Sequence, residues 1–316
     1  GSDTTGVIGS ITQPFRSVQT TYDRSDFGPG DTIIMRAGTW DEAGRSSNFL
    51  ALDPKDGTPE APMALLGYPG ETVSINQTGT GRVRIRWLSG FGSWLTVSNL
   101  SLNLGGQNIQ GFYSNVFSTN VRIVNNETRN LHHTGGGTGT FSGTWNSSKI
   151  FGNQVHDVGD DKLFHGIYIQ SNTSVGVDDL EIAWNHIYDI NTQDAGRGIQ
   201  LFDSGAGLLE MKNVSIHDNV IHDIHRPAIT FSALTSTGMK AYNNVIYNTG
   251  SASASDDQSG IQFNDCDLVV EVYNNSGYNN LRGLFHFSCA NTATIRNNIN
   301  QVGSGQTYYK ESTSWA

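Results

Sequence analysis

The chain has 316 residues and a formal net charge of −10, which is enough for one large domain or two ordinary ones. The negative charge argues against nucleic-acid or anionic-membrane binding, and no apolar stretch reaches the ~20 residues that span a bilayer. Glycine is abundant (37) while charged residues make up only 15%, which is typical of a turn-rich rather than a helical protein. An acidic polymer would therefore need a local basic patch or a bound cation.

The first 40 residues contain two recognisable sequence motifs. One begins Gly-Ser-Asp at Gly1 and ends in Gln13-Pro14-Phe15, and in the other Pro29-Gly30-Asp31-Thr32 precedes an apolar run and Ala-Gly-Thr-Trp. This segment resembles the opening of secreted β-helix polysaccharide-active proteins, where such phrases flank an apolar cap helix and a first strand. The group includes family-nine pectate lyases, chondroitinase B and alginate lyases, alginate epimerases and some glycoside hydrolases. The resemblance implies an N-terminal cap region over residues 1–30, which would cover the open first coil.

A short pattern recurs from Asn99 onward: alternating apolar residues, an asparagine, and often His-Asp or Tyr-Asp. The recurrent asparagines are Asn99, Asn126, Asn153, Asn185, Asn219, Asn244, Asn275 and Asn298. Short period-two strands with Gly, Asn and Asp turns, repeated at irregular spacing, indicate a solenoid with variable loops. We predict an all-β fold, a right-handed parallel β-helix (solenoid) with a short N-terminal cap helix, as a single domain over residues 1–316. The asparagines should form a ladder from coil to coil.

Each unit has a second strand that begins at a small residue. These residues are Gly166, Gly198, Ala228, Gly260 and Gly283. The aromatics predicted to point outward from these strands are Tyr168, Phe202, Phe285 and Phe287. Cys266 and Cys289 each lie six residues after such a glycine, so they should be about 4.8 Å apart on adjacent coils, within disulfide range. A secreted protein would favour the bond.

Ionisable residues of changing type collect just before these second strands. Packing repeats keep one residue type, whereas a catalytic surface needs a mixture. Lys162, His165, Arg197 and Arg226 have the composition needed for β-elimination on a uronate: arginines neutralise the carboxylate, and a lysine near other cations acts as base. These four are the predicted catalytic residues.

Two further groups surround that cluster. The aspartates could hold Ca²⁺, which prefers carboxylate and carbonyl oxygens; they are Asp160, Asp161, Asp194 and Asp203. The expected substrate-binding side chains are Tyr168, His225, Gln200, His133 and Phe202. In contrast, the pairs His156-Asp157 and His222-Asp223 are interpreted as turn chemistry, because Asn and Asp turns recur in every coil.

The sequence thus predicts a secreted (extracellular or periplasmic) monomer that is a polysaccharide lyase acting on an acidic polysaccharide. Two alternatives stay open: a glycoside hydrolase with paired carboxylates on the same flank, and a non-catalytic carbohydrate-binding, adhesin or tailspike β-helix. Asp160-Asp161 and His165-Gly166 are similar to polygalacturonase elements, but the downstream Arg-x-Lys element is absent. The Asp-Pro-His-Asp motif of alginate epimerases is also missing.

Overall fold

The computed structural model describes residues 1–40, 49–52, 55–76, 84–87, 92–105, 110–132, 138–159, 164–171, 176–191, 196–202, 210–232, 235–250, 258–264, 267–287, 291–301 and 308–310. Within these ranges it contains one short helix, α1 (Val18–Tyr22), followed by strands β1 to β32. The strands follow one another in repeating groups of three, with β16 and β20 as additional short strands, and each group of three makes one coil of a solenoid.

The first coils contain β1 (Thr32–Met35), β2 (Gly38–Trp40), β3 (Leu50–Leu52), β4 (Met63–Gly67), β5 (Val73–Asn76), β6 (Ile85–Trp87), β7 (Leu95–Ser98), β8 (Ser101–Asn103) and β9 (Phe112–Thr119). The middle coils contain β10 (Arg122–Val124), β11 (Glu127–His132), β12 (Thr138–Asn146), β13 (Lys149–Phe151), β14 (Gln154–Gly159), β15 (Phe164–Gln170), β16 (Val177–Asp178), β17 (Glu181–Ala183), β18 (His186–Asn191), β19 (Ile199–Phe202), β20 (Met211–Lys212), β21 (Ser215–His217), β22 (Val220–Ile224) and β23 (Ile229–Ser232). The last coils contain β24 (Thr235–Tyr242), β25 (Val245–Thr249), β26 (Ile261–Asn264), β27 (Asp267–Tyr273), β28 (Ser276–Tyr278), β29 (Phe285–Phe287), β30 (Asn291–Arg296), β31 (Ile299–Gln301) and β32 (Tyr308–Lys310).

These strands form three parallel sheets that run along the solenoid. Sheet A begins β1-β4-β7-β10-β13-β17-β21-β24 and continues through β27 and β30, with the short β16 and β20 attached beside β24. Sheet B has the order β2-β5-β8-β11-β14-β18-β22-β25-β28-β31, and sheet C has the order β3-β6-β9-β12-β15-β19-β23-β26-β29-β32. The prediction of a parallel β-helix is confirmed.

The core fills the space between the three sheets. Inward residues of successive coils stack in register, as in the column Ile167, Ile199, Ile229 and Ile261, all fully buried. Phenylalanine rings do the same, with 5.2 Å between the ring centroids of Phe231 and Phe263. Each such side chain contributes about 1.5–3 kcal/mol through its burial, so the stacked columns define the coil spacing.

The asparagine ladder is present, with one correction. Its members are Asn126, Asn153, Asn185, Asn219, Asn244, Asn275 and Asn298, joined by Nδ2–Oδ1 hydrogen bonds of 2.9–3.1 Å. The placement of Asn99 in this ladder is wrong by one residue: the backbone N–H of Leu100 donates to Asn126 Oδ1 at 3.1 Å. Asn99 instead pairs with Asn125 in the preceding position of the turn, where both residues have left-handed φ values of 61° and 54°.

The predicted N-terminal cap helix is confirmed as α1. Ser17 is its N-cap and accepts a hydrogen bond from the backbone N–H of Thr20 at 3.3 Å, as short polar side chains do at helix starts. Val18 and Tyr22 are buried, and the helix packs on β1 and β3. In the part of the chain that the structure describes, no helix has the length and apolar character needed to cross a membrane.

Candidate functional site

Sheet C differs from the other two sheets because both of its faces are buried over its central strands. In β10, β13 and β17 of sheet A, buried and more exposed positions alternate, as expected for a sheet with one face on water. In β15, β19, β23, β26 and β29 nearly every residue is buried. The outer face of these strands, which we call the sheet C outer face, is therefore sheltered from water.

The sheet C outer face is polar despite its burial. One column of aligned residues crosses it, formed by Tyr168, Gln200, Thr230, Gln262 and His286. Their exposed fractions are 9, 6, 0, 0 and 1%. Buried polar groups are costly unless they are hydrogen-bonded, yet the Thr230 hydroxyl has no hydrogen-bond partner among the described residues. The face therefore holds a sheltered row of hydrogen-bonding groups.

The prediction that the aromatic residues of β29 point outward is wrong. Phe285 aligns with Ile261 and Phe287 with Phe263, so both point into the core, and they are 0% and 8% exposed. The outward residue of β29 is His286. Tyr168 does point outward, and Phe202 lies outward and half-buried on the next coil, with 6.2 Å between the two ring centroids.

His165 lies on the same face, one coil before Arg197 and in line with it. Its Nδ1 accepts the backbone N–H of Arg197 at 3.2 Å, and its ring stacks on Tyr168 with centroids 5.2 Å apart. Burial, reinforced by the Arg197 charge, lowers the pKa of His165 well below its usual value. An imidazole whose Nδ1 is an acceptor carries its proton on Nε2, so neutral His165 is a hydrogen-bond donor through Nε2.

Arg197 and Arg226 place two buried guanidinium groups on adjacent coils. Arg197 is 8% exposed and its Nη1 donates to Gln200 Oε1 at 3.3 Å. Arg226 is the second residue after β22 and is 7% exposed. Its Nε and Nη1 are buried and make no hydrogen bond, and no ion pair of Arg226 is found among the described residues. Because a buried charge without a partner is costly, Arg226 is a strong candidate for binding an anion.

Tyr168 stacks on His165 and is in register with Gln200. Its burial raises the pKa of the phenol to about 12, against a smaller opposing effect of the Arg197 charge. The hydroxyl therefore stays protonated at neutral pH and can both donate and accept. His165, Tyr168 and Gln200 thus offer neutral hydrogen-bonding groups beside two fixed positive charges.

The structure brings together seven of the predicted site residues along the third strands and their entry turns. They are His165, Tyr168, Arg197, Gln200, Phe202, His225 and Arg226. The remaining predicted residues lie outside the described residues, and they are Lys162, His133, Asp160, Asp161, Asp194 and Asp203. Cys266 and Cys289 lie outside them as well. The predicted roles of these residues stay predictions.

Sequence reasoning missed three buried members of the face, Thr230, Gln262 and His286. A signal was available for Thr230 and Gln262, because each is the third residue counted from the small residue that begins its strand, the same position as Tyr168 and Gln200. His286 is the fourth residue counted from Gly283, and only the strand pairing aligns it with Gln262. Burial of this outward column is a tertiary effect, so alternation alone could not distinguish it from an exposed one.

The histidines near the asparagine ladder have a different environment. His156 places Nδ1 3.0 Å from Asp157 and Nε2 3.0 Å from Glu127. His217 is held in the same way by Asp218 and Glu181, at 2.7 and 2.8 Å. Both ring nitrogens of His156 and of His217 thus contact carboxylates, and His222 places Nδ1 2.7 Å from Asp223. These contacts support the interpretation of the pairs His156-Asp157 and His222-Asp223 as turn chemistry.

Comparisons with known proteins support the fold. The sequence matches no protein-family model and no curated protein. Its structure is similar to the pectate lyase Pel9A, with a TM-score of 0.60 at 13% identity over 92% of this chain and 74% of that one. It is also similar to an alginate lyase from Paenibacillus sp. str. FPU-7, with a TM-score of 0.50 at 16% identity over 93% and 94% of the two chains. At these identities the likeness is one of fold.

Proposed function

We propose that this protein cleaves an acidic, uronate-containing polysaccharide by β-elimination on the sheet C outer face. The observation that carries the proposal is the buried guanidinium of Arg226, whose Nε and Nη1 have no hydrogen-bond partner among the described residues, one coil after Arg197. In a chain with a net charge of −10, two sheltered arginines on adjacent coils are a local binding site for a carboxylate. Arginine suits this role because its planar fork matches a carboxylate in two parallel hydrogen bonds.

The chemistry follows from that contact. Neutralising the uronate carboxylate acidifies the ring proton on the adjacent carbon, which a base then removes. The electron pair forms a carbon–carbon double bond, the bond to the glycosidic oxygen breaks, and that oxygen takes up a proton. Lys162 is the proposed base. The neutral His165, with its proton on Nε2, and Tyr168 would donate hydrogen bonds to the sugar or the leaving oxygen.

Calcium is part of the proposal as a second means of binding carboxylates. Asp160 and Asp161 precede β15, while Asp194 and Asp203 flank β19. Carboxylate oxygens are the ligands that Ca²⁺ prefers, and a bound ion would add positive charge next to the arginines. Since the substrate would be a large extracellular polymer, we propose that the protein acts outside the cell or in the periplasm.

Two similar solved structures are named as lyases of pectate and alginate, and these polymers are the first substrates to test. The expected result is a rise in ultraviolet absorbance from the new double bond, reduced by a calcium chelator. Release of reducing ends without this absorbance would instead support a glycoside hydrolase. Tight binding with neither signal would support a non-catalytic carbohydrate-binding protein.

The variant Arg226→Gln tests the proposed role of the Arg226 guanidinium directly. Loss of one preorganised donor to developing charge typically lowers the rate by about 10²–10³-fold, and we expect a loss of that size in kcat/KM. Arg122→Gln is the matched control, because Arg122 is exposed on sheet A, and it should keep full activity. Because two buried nitrogens of Arg226 make no hydrogen bond to any described residue, the Gln variant should unfold at the same or a higher temperature. Unchanged activity of Arg226→Gln would refute the proposed role.

A further inference from the structure

A groove of about 600 Å³ runs along β1 at the N-terminal end of the solenoid. One wall is the N-terminal segment, including Val7, Ile8, Ile11 and Phe15, and the other is the whole of β1. The N-terminal segment bonds to itself, through Ser2 N to Pro14 O and Val7 N to Gln13 O. It therefore stands beside β1 without pairing with it.

The open side of β1 has unused backbone groups. β1 is the terminal strand of sheet A and pairs with β4 alone. The carbonyl groups of Asp31 and Met35 accept bonds from Ala64 and Tyr68 of the β4 side. Since successive residues of a strand direct their backbone groups to opposite edges, Thr32 and Ile34 direct theirs into the groove. No hydrogen bond to the backbone of these two residues is found within the described ranges.

Exposed apolar side chains are also concentrated in the groove. Eleven large hydrophobic residues are exposed in the described part of the chain. Five of them line this groove: Val7, Ile8, Ile11, Ile34 and Tyr68. Clustered exposed apolar groups mark binding surfaces more often than scattered ones. An unpaired strand edge within an apolar groove fits one class of ligand, an extended polypeptide.

We propose that this groove binds an extended segment of a partner polypeptide, which adds to the β1 edge as an extra strand of sheet A. Main-chain hydrogen bonds to Thr32 and Ile34 would supply affinity, and alternate apolar side chains would pack against the N-terminal segment. A second copy of β1 is a poor occupant, because two concave grooves do not complement each other. The Arg16 side chain is exposed on the rim, and no ion pair of it is found among the residues described. The preferred segment therefore carries an acidic residue at that end.

Amide hydrogen exchange tests the groove without any ligand. The amide of Ile33 should be protected because it faces β4, while the amides of Thr32 and Ile34 should exchange at least tenfold faster. Protection of Thr32 and Ile34 equal to that of Ile33 in the free protein would overturn the proposal, since the edge would then already be closed.

Binding is tested by calorimetry with a synthetic hexapeptide of alternating valine and threonine that carries an N-terminal glutamate. The same peptide with alternate amides N-methylated is the control, and it should bind at least tenfold more weakly. The peptide should also slow exchange at Thr32 and Ile34 at least tenfold. Failure of the unmethylated peptide to bind at millimolar concentration, or equal binding of both peptides, would overturn the proposal.

Protein variants locate the site independently. Ile34→Pro removes the N–H that faces the groove and leaves the bonds to β4 intact, as proline is tolerated on a sheet edge. It should lower affinity at least tenfold, whereas Ile34→Thr keeps the N–H and should lower it less. Equal affinity of both variants would place the peptide elsewhere. The test is independent of the sheet C outer face, so polysaccharide cleavage should be unchanged in both variants.

Discussion

Removing one ladder asparagine should cost far more stability than removing its neighbour in the same turn. Asn244 is fully buried. Its Nδ2 donates to Ile216 O at 3.0 Å and to Asn275 Oδ1 at 2.9 Å, and its Oδ1 accepts the backbone N–H and the Nδ2 of Asn219 at 3.2 and 3.0 Å. Asn244→Ala leaves the Ile216 carbonyl and the Asn219 N–H buried without a partner. At ~1–3 kcal/mol for each buried unsatisfied group, the free energy of unfolding should fall by about 2–6 kcal/mol.

The control is Asn243→Gly. Asn243 is exposed and has a φ of 55°, a conformation that glycine adopts without strain, so its replacement should change stability by less than about 0.5 kcal/mol. The measurement is denaturant unfolding followed by circular dichroism, with a second probe to test for a single transition, because repeat proteins can unfold in parts. A loss for Asn244→Ala no larger than that of the control would refute the ladder as a source of stability.

Three titrations check the charge environment. Glu71 accepts hydrogen bonds from the Arg36 guanidinium and the Ala37 N–H, which lower the pKa of Glu71 to about 2. Its stabilising contribution should be present above pH 4.5 and lost as the pH falls towards 2. Arg36→Met should raise this pKa, read by NMR, while the Ala37 N–H still holds it below its ordinary value. Burial lowers the pKa of His165 well below 6.5, so His165 should be neutral by NMR at pH 6.5 and above, and its contribution to stability should decline as the pH falls below 6.5. Protonation near pH 6.5 would contradict its burial. Burial raises the pKa of Tyr168 to about 12, so Tyr168→Phe should remove a late step from the ultraviolet phenolate titration, and stability that depends on the neutral phenol should be lost between pH 10 and 12.

The architecture could be predicted because its signals are local and repeated. Alternation of apolar residues, turn asparagines and small residues at strand starts are each visible in a single unit, and repetition makes them hard to mistake. The error at Asn99 arose because two asparagine columns lie side by side, one buried and one in the left-handed turn position. Asn125 and Asn126 are consecutive, and only the pairing across coils shows which of them aligns with Asn99.

The candidate site was predicted in part. The position of Arg197 and Arg226 on successive coils follows from aligning the strand starts. The burial of Arg226 and the use of His165 Nδ1 by a backbone N–H do not follow from that alignment, because they depend on how the neighbouring coils pack. The alternation in Gly-Leu-Phe-His-Phe was shifted by one because its small residue, Gly283, has a φ of 82° and belongs to the preceding turn.

The connection between sheets A and B has a constant length from β7 onward, whereas the connection between sheets B and C does not. From β7 to β31, two residues separate each main sheet A strand from the next sheet B strand, and the second of them is in most coils a ladder asparagine. Between sheets B and C the connection varies from four residues, as between β22 and β23, to eleven, as between β25 and β26. The molecule therefore combines a corner of constant length between sheets A and B with a connection of variable length between sheets B and C. Changes in the length of this connection leave the pairing of the strands from coil to coil unchanged, so the surface beside sheet C can vary without a change in the fold.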